Sequence, residues 1–312
     1  MPTLGSDSFR APNPDFGALI TYYLDQPYRS LKEERLEAEQ SARTDRLDIP
    51  FPGWDRLRAE SREPDPRLMM LIRDETGAPV RWLKANNEKG THRLSWDLRY
   101  PAPNPINLNP PAFTPPWAGT PQGPLVAPGV YSAQLIAITR EEATALGEPQ
   151  DFKVKPVREA SPGSDYQAIA DFQLQVSELM RDIMRTGSEL SQAQERLKKM
   201  KAAALAAPRA ETTLFQRLDA LEVELLKLQA QLSGDPVRRG LNESTAPSIT
   251  GRAYNAANAW YNTQAATQTQ RSDFERARSD YAGLSANLDK LLETEWTRLK
   301  GDLERAGAPG WR

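Results

Sequence analysis

The sequence predicts an α+β protein of two parts, an antiparallel β-sheet domain followed by an antiparallel bundle of three to four helices. Three observations predict it. Between Leu71 and Leu135, apolar and polar residues alternate in short runs divided by Gly- and Pro-bearing turns, the period-two pattern of half-buried strands. From Ile169 to Leu299 the apolar residues recur every three or four positions, as on the buried stripe of a helix. Between the two patterns lies Ser161-Pro162-Gly163, a chain breaker. The boundaries follow: a tail over 1–13, a sheet domain over 14–158 and a helical domain over 159–312.

In the sheet domain Leu71 to Asp74 reads as a strand, Glu75-Thr76-Gly77 as its turn and Val80 to Leu83 as the returning strand. Glycine supplies the positive φ that a tight hairpin needs. His92 to Leu98 alternates as a further strand, Pro128-Gly129 turns the chain into Val130 to Leu135, and Phe152 to Val157 forms the last strand. The expected core is Ile20, Tyr22, Leu71, Trp82, Leu94, Trp96, Tyr131 and Leu135.

The segment 101–128 is crowded with prolines and holds Asn104, Asn107, Asn109, Phe113 and Trp117. Proline has no N–H to give a ladder, so this stretch cannot join a central strand. Two readings stand. It is an extended loop whose aromatics cover an edge of the sheet, or it is a contact loop in which Phe113 and Trp117 meet a partner. Aromatic side chains on a stiff backbone lose little entropy on binding.

In the helical domain, Ser164 followed by Gln167 marks a helix start of the capping-box kind. Ile169, Phe172, Val176, Leu179, Ile183, Leu190, Ala193, Leu197 and Met200 form the first seam, with Thr186 or Gly187 filling its one weak step. Pro208 interrupts. Leu214, Leu218, Leu221, Leu225, Leu228 and Leu232 repeat the spacing, and Gly234-Asp235-Pro236 ends that helix. A short helix over 252–261 and a long one over 270–305 follow, the latter with Phe274, Ala277, Tyr281, Leu284, Leu288, Leu291 and Leu299 along its seam. Such stripes seek partners at shallow angles, and short connections make neighbours antiparallel. The rival arrangement is an intermolecular coiled coil through the first and last helices.

Chemistry is sparse. The 312 residues carry 40 Lys+Arg against 42 Asp+Glu, so no global field selects nucleic acid or an anionic membrane. The basic cluster Arg196, Lys198, Lys199 and Lys201 avoids the apolar seam and reads as a solvated face. Cysteine is absent, which excludes disulfides and thiolate chemistry. No apolar run is long enough to predict a membrane-spanning helix, and Met1 to Arg10 shows no signal-peptide pattern. His92 is the sole histidine, which excludes multi-histidine metal sites, and it reads as a surface strand residue. Asp97 reads as a local cap after Trp96. A glycosidase needs two carboxylates held across a sugar, and no motif selects a pair among the acids. Phosphate loops, nucleophile elbows and zinc signatures are missing as well, so no cofactor is expected and the reading is non-catalytic.

Several motifs carry a resemblance. Asn13-Pro14-Asp15-Phe16-Gly17-Ala18-Leu19-Ile20-Thr21-Tyr22-Tyr23-Leu24, the run Trp96 to Pro101 (Trp-Asp-Leu-Arg-Tyr-Pro) and the run Gly123 to Tyr131 stand in order along the chain. Together they resemble the C-terminal region of bacterial sortilin-type, BNR-repeat β-propeller proteins, often labelled glycosyl hydrolases. The resemblance implies that the sheet domain is an Ig-like sandwich with a helical tail. It makes 25–66 an insertion, within which Leu31 to Gln40 reads as a short charged helix and Ile49 to Trp54 as a loop packed by its aromatics. The propeller itself has no counterpart upstream of Asn13. The family is typically exported. What the resemblance implies is an accessory module that braces or docks a propeller or another exported partner. The alternatives are a subunit of a carbohydrate-active enzyme and a helical oligomerisation module.

Overall fold

The computed structural model describes residues 13, 15–108, 113–115, 117–157, 165–261 and 263–310. Most of the N-terminal tail, Asn109 and the Ser161 to Ser164 breaker-and-cap signal lie outside them. The protein is a mixture of helix and antiparallel sheet. It divides into two compact units, one of residues 1–101 with 126–159 and one of residues 102–125 with 160–312.

The first unit contains two antiparallel sheets. Strands β1 (Ala18–Leu24) and β4 (Gly90–Trp96) form one, while β2 (Arg67–Asp74), β3 (Pro79–Lys84), β5 (Gly129–Ile138) and β6 (Ala143–Val154) form the other in the order β3-β2-β5-β6. The β2–β3 hairpin turns through Gly77 at φ 82°, with Asp74 Oδ1 accepting from the Thr76 and Ala78 amides.

Register decides what faces inward. Met70 stands opposite Leu83 and Leu135, Ile72 opposite Ala133, and Phe152 opposite Tyr131. On the other sheet Ala18, Ile20 and Tyr22 stand opposite Trp96, Leu94 and His92. One apolar cluster draws on both sets. At its centre Trp96 is fully buried. Its ring meets Tyr131 at 5.4 Å and Phe152 at 6.0 Å, both edge-on, and its Nε1 donates to the Arg99 carbonyl at 3.1 Å.

Several expectations are corrected. Leu71 and Trp82 do pair across β2–β3, but on the face opposite the cluster, and Trp82 remains 47 % exposed. Leu71 is buried at 2 % exposure as expected, though outside the Trp96 cluster; the side-chain period is two, so that cluster draws on Met70 and Ile72 instead. Strand β4 ends at Trp96, because Leu98 takes a left-handed φ of 57°. The last strand begins at Ala143 and ends at Val154. Its Ala, Gly and Pro content hides it from a propensity reading, but an edge strand tolerates such residues while its neighbour supplies the ladder.

The region 25–66 forms two helices, α1 (Leu31–Thr44) and α2 (Trp54–Arg62), of which the second was not expected. A capping box starts α1, with Ser30 Oγ accepting from the Glu33 amide and Glu33 accepting from the Ser30 amide. Neither helix buries a residue fully.

In the second unit, α3 (Tyr166–Leu205) and α4 (Thr212–Ser233) are followed by the short α5 (Pro236–Gly240) and by α6 (Ile249–Ala257), which runs on into a 3-10 turn over Asn258–Tyr261. Helix α7 (Gln268–Leu291) passes through a π-helical turn, Leu292–Trp296, into α8 (Thr297–Ala306). The cap of α3 is Asp165, whose Oδ1 accepts from the Ala168 amide at 2.9 Å. The capping-box assignment to Ser164 is thus displaced by one residue, because a carboxylate accepts as well as a hydroxyl does. Every expected seam residue of α3 and α4 is buried. On α7, Tyr281 and Leu291 are only partly so. The wide π turn explains the eight-residue step from Leu291 to Leu299, since extra residues in one turn rotate the stripe back toward the core.

Candidate partner-contact surface

Strand β4 leaves the first sheet at Trp96, and Asp97 Oδ1 accepts from the Arg99 amide at 3.2 Å, the local turn that the sequence suggests. Among the described residues from 101 to 125 none belongs to a strand, and the chain returns where the Val126 amide donates to the Leu98 carbonyl at 2.9 Å. Val126 packs into the apolar cluster. Both ends of the segment are therefore tied to the sheet region while its middle, 102–125, groups with the second unit.

Within that middle, Phe113 is 70 % exposed and Trp117 84 % exposed, and Ile106 and Leu108 are open as well. The edge-covering reading therefore fails for both aromatics. A covering ring would lose most of its accessible surface, and these keep it. The described residues of the segment present large apolar side chains to solvent, in a stretch whose prolines restrict the backbone. Such a set is unusual on a surface, where apolar groups that are not needed elsewhere are normally scattered.

A second apolar set lies on the α1–α2 hairpin. Its inner face is polar: Arg35 donates to Glu60 at 2.9 Å and to Glu39 at 2.6 Å, and the Leu31 amide donates to Glu63 at 2.6 Å. Hydrogen bonding from Arg35 holds the Glu60 carboxyl below its ordinary range, against the opposing effect of burial. Outward stand Leu36, Leu47, Phe51 and Trp54. Phe51 and Trp54 meet edge-on at 5.2 Å, so the loop is packed by its aromatics as expected, yet both rings remain largely exposed.

His92 is not the surface residue that the sequence suggests. It lies half-buried on the inward side of β4, with its ring 5.5 Å from that of Tyr22 and its Nε2 donating to the Glu88 carbonyl at 2.7 Å. Tyr22 in turn donates to the Asn86 carbonyl and accepts from the Asn86 amide. Burial raises the Tyr22 phenol. These are ties that anchor the 85–89 loop. Among the described residues no group of three or more His, Asp or Glu side chains is placed to hold a metal ion, and no helix is long and apolar enough to cross a membrane.

Two members of the basic cluster of α3 are paired with neighbouring acids. Lys201 bridges Asp219 and Glu222 of α4, each at 2.6 Å, and Lys198 pairs with Glu195 at 2.6 Å. That pairing across helices was invisible in the sequence. The outward face of α1–α2 was equally hidden, although Phe51 and Trp54 among prolines were a signal that could have marked it.

No family model, curated protein or solved structure matches the chain.

Proposed function

We propose that this protein is a non-catalytic interaction module, with its sheets as an Ig-like sandwich and its helices as an antiparallel bundle. It braces or docks a sortilin-like, BNR-repeat β-propeller or another exported partner. The observation that carries this reading is the exposure of Phe113 and Trp117 on a proline-stiffened segment, a contact surface that requires little ordering on binding. The shared cluster around Trp96 supports the sandwich, since side chains from both sheets interdigitate in it. The buried seams of α3 and α4 support the bundle.

The test is to purify the tagged chain from an extract of its source and weigh what accompanies it. A β-propeller protein in equimolar amount, lost when Phe113 and Trp117 are both changed to alanine, is the expected result. Retention of that partner by the double variant would remove the segment from the contact. Hydrolysis of a glycan by the purified chain alone would overturn the non-catalytic reading and favour a carbohydrate-active enzyme.

A further inference from the structure

Helices α3 and α7 meet at two side-chain clamps. At one clamp the Phe172 and Phe274 rings meet edge-on at 5.5 Å, with the Arg271 guanidinium 4.9 Å from the Phe172 ring centroid. At the other, Thr186 Oγ1 and Tyr281 Oη share a hydrogen bond of 3.0 Å. The clamps enclose fourteen residues' advance on α3 but only seven on α7. At about 1.5 Å per residue these are ~21 Å and ~10 Å. A groove of about 780 Å³ opens along them.

Its floor is apolar, formed by Leu179 and Phe274, both buried beneath it. The α7 wall is made of small side chains, Ala282, Ser285 and Ala286, with both alanines exposed. Small residues let another backbone approach to the ~8 Å end of the range for packed helices. The rims are acidic. Glu178 and Asp182 stand on α3 and Asp289 on α7, against the single cation Arg278. Asp182 is engaged by Arg185 at 3.2 Å, whereas Glu178 and Asp289 have no ion pair among the described residues.

The geometry points to a docking groove for a basic amphipathic α-helix of a partner protein. Its aliphatic residues, spaced i, i+3, i+4 and i+7, would lie on Leu179 and Phe274 against the alanine wall. Its Lys or Arg residues would meet Glu178, Asp182 and Asp289. An apolar centre with a charged rim is the anatomy of a protein contact, and a groove between two helices is completed by a third in the helix-in-groove mode. This surface is separate from the Phe113/Trp117 segment and does not depend on it.

The test uses the full chain and a fluorescein-labelled synthetic helix of about fourteen residues, long enough for ~21 Å. Leucine and alanine would form its apolar face and lysine and arginine its flanks, with binding read by fluorescence anisotropy. The same peptide with glutamate flanks is the comparison. The expected results are saturable binding of the basic peptide, at least tenfold tighter than the acidic one, weakening as salt is raised. Ala286→Trp, which fills the groove from an exposed position, is expected to weaken binding about tenfold or more. Glu178→Lys with Asp289→Lys is expected to reverse the preference between peptides. Helical circular dichroism verifies that each variant is folded. The Phe113→Ala/Trp117→Ala chain should bind the peptide like the parent, so the two contact surfaces stand or fall separately. No binding of the basic peptide up to about 1 mM, equal binding of both peptides, or indifference to Ala286→Trp would each overturn the assignment.

Discussion

Thr186 and Tyr281 share a 3.0 Å hydrogen bond between α3 and α7, at the one step of the α3 seam filled by a polar residue. Thr186 is buried at 2 % exposure, so its hydroxyl needs a partner inside the helical unit. The phenol of Tyr281 reaches across to supply it. A weak place in a hydrophobic stripe is thereby a point of registration between two helices.

Removing either half of this pair has a calculable effect. Thr186→Ala is expected to lower stability by about 1 kcal/mol and Tyr281→Phe by a similar amount. The double variant should lose less than the sum, since the shared bond is lost only once. Urea unfolding of the four proteins measures the coupling; strict additivity would mean that the bond contributes nothing.

The α4 seam should be far less forgiving. Leu218 and Leu225 are both fully buried, and truncating either to alanine removes packed methyl groups and leaves a cavity. The expected loss is about 2–5 kcal/mol for each. Exposed Leu226 on the same helix provides the control, with Leu226→Ala expected to shift stability by no more than about 0.5 kcal/mol.

Gly17 is constrained by its neighbour on β4. It has φ +120°, and a Cβ placed there would stand 1.9 Å from the Trp96 carbonyl oxygen. Gly17→Ala must therefore move backbone that is hydrogen-bonded in the β1–β4 ladder as well as strain its own φ. A loss of about 1–3 kcal/mol and a red-shifted tryptophan emission are expected. Gly77→Ala separates the two effects, because that site has φ +82° but open space around it.

Acid should loosen the α1–α2 hairpin before it unfolds either core. Arg35 keeps the Glu60 carboxyl below its ordinary range, so folding favours the ionised form. That contribution is complete above the unfolded-state value of about 4.3 and disappears as pH falls through the lower folded-state value. Hydrogen exchange over Leu31–Thr44 should accelerate in that window. Glu60→Gln should show the faster exchange already at neutral pH, and unchanged exchange in that variant would assign the hairpin's order to something other than this pair.

Changing Phe113 and Trp117 to alanine should leave the unfolding midpoint essentially unmoved, because both rings are exposed. A shift of more than about 0.5 kcal/mol would show that the segment stabilises the fold rather than waiting for a partner.

The helical half was legible because its information is local. Six leucines from Leu214 to Leu232 mark one face of one helix, and all six are buried. The sheet half was legible in its strands but not in its facing. Leu71 and Met70 are adjacent and similarly apolar, and only pairing with Leu83 and Leu135 shows that Met70 belongs to the cluster. The edge strand β6 was nearly silent, since most of its residues are exposed and its hydrogen bonds come from β5. Phe113 and Trp117 could be named from composition, yet whether they cover an edge or stand open depends on where the chain returns.

By itself the sequence determined periodicity: where the chain must be helix, where it must be strand, where proline and glycine break it, and that cysteine chemistry is excluded. Periodicity is set by the spacing of side chains along one segment, and no other segment is needed to read it. The tertiary structure alone decided which face is inside, that Lys201 is neutralised by α4, and that residues of α3 and α7 together line a groove. Each of these depends on the distance between residues remote in the chain, which packing sets and local spacing does not record.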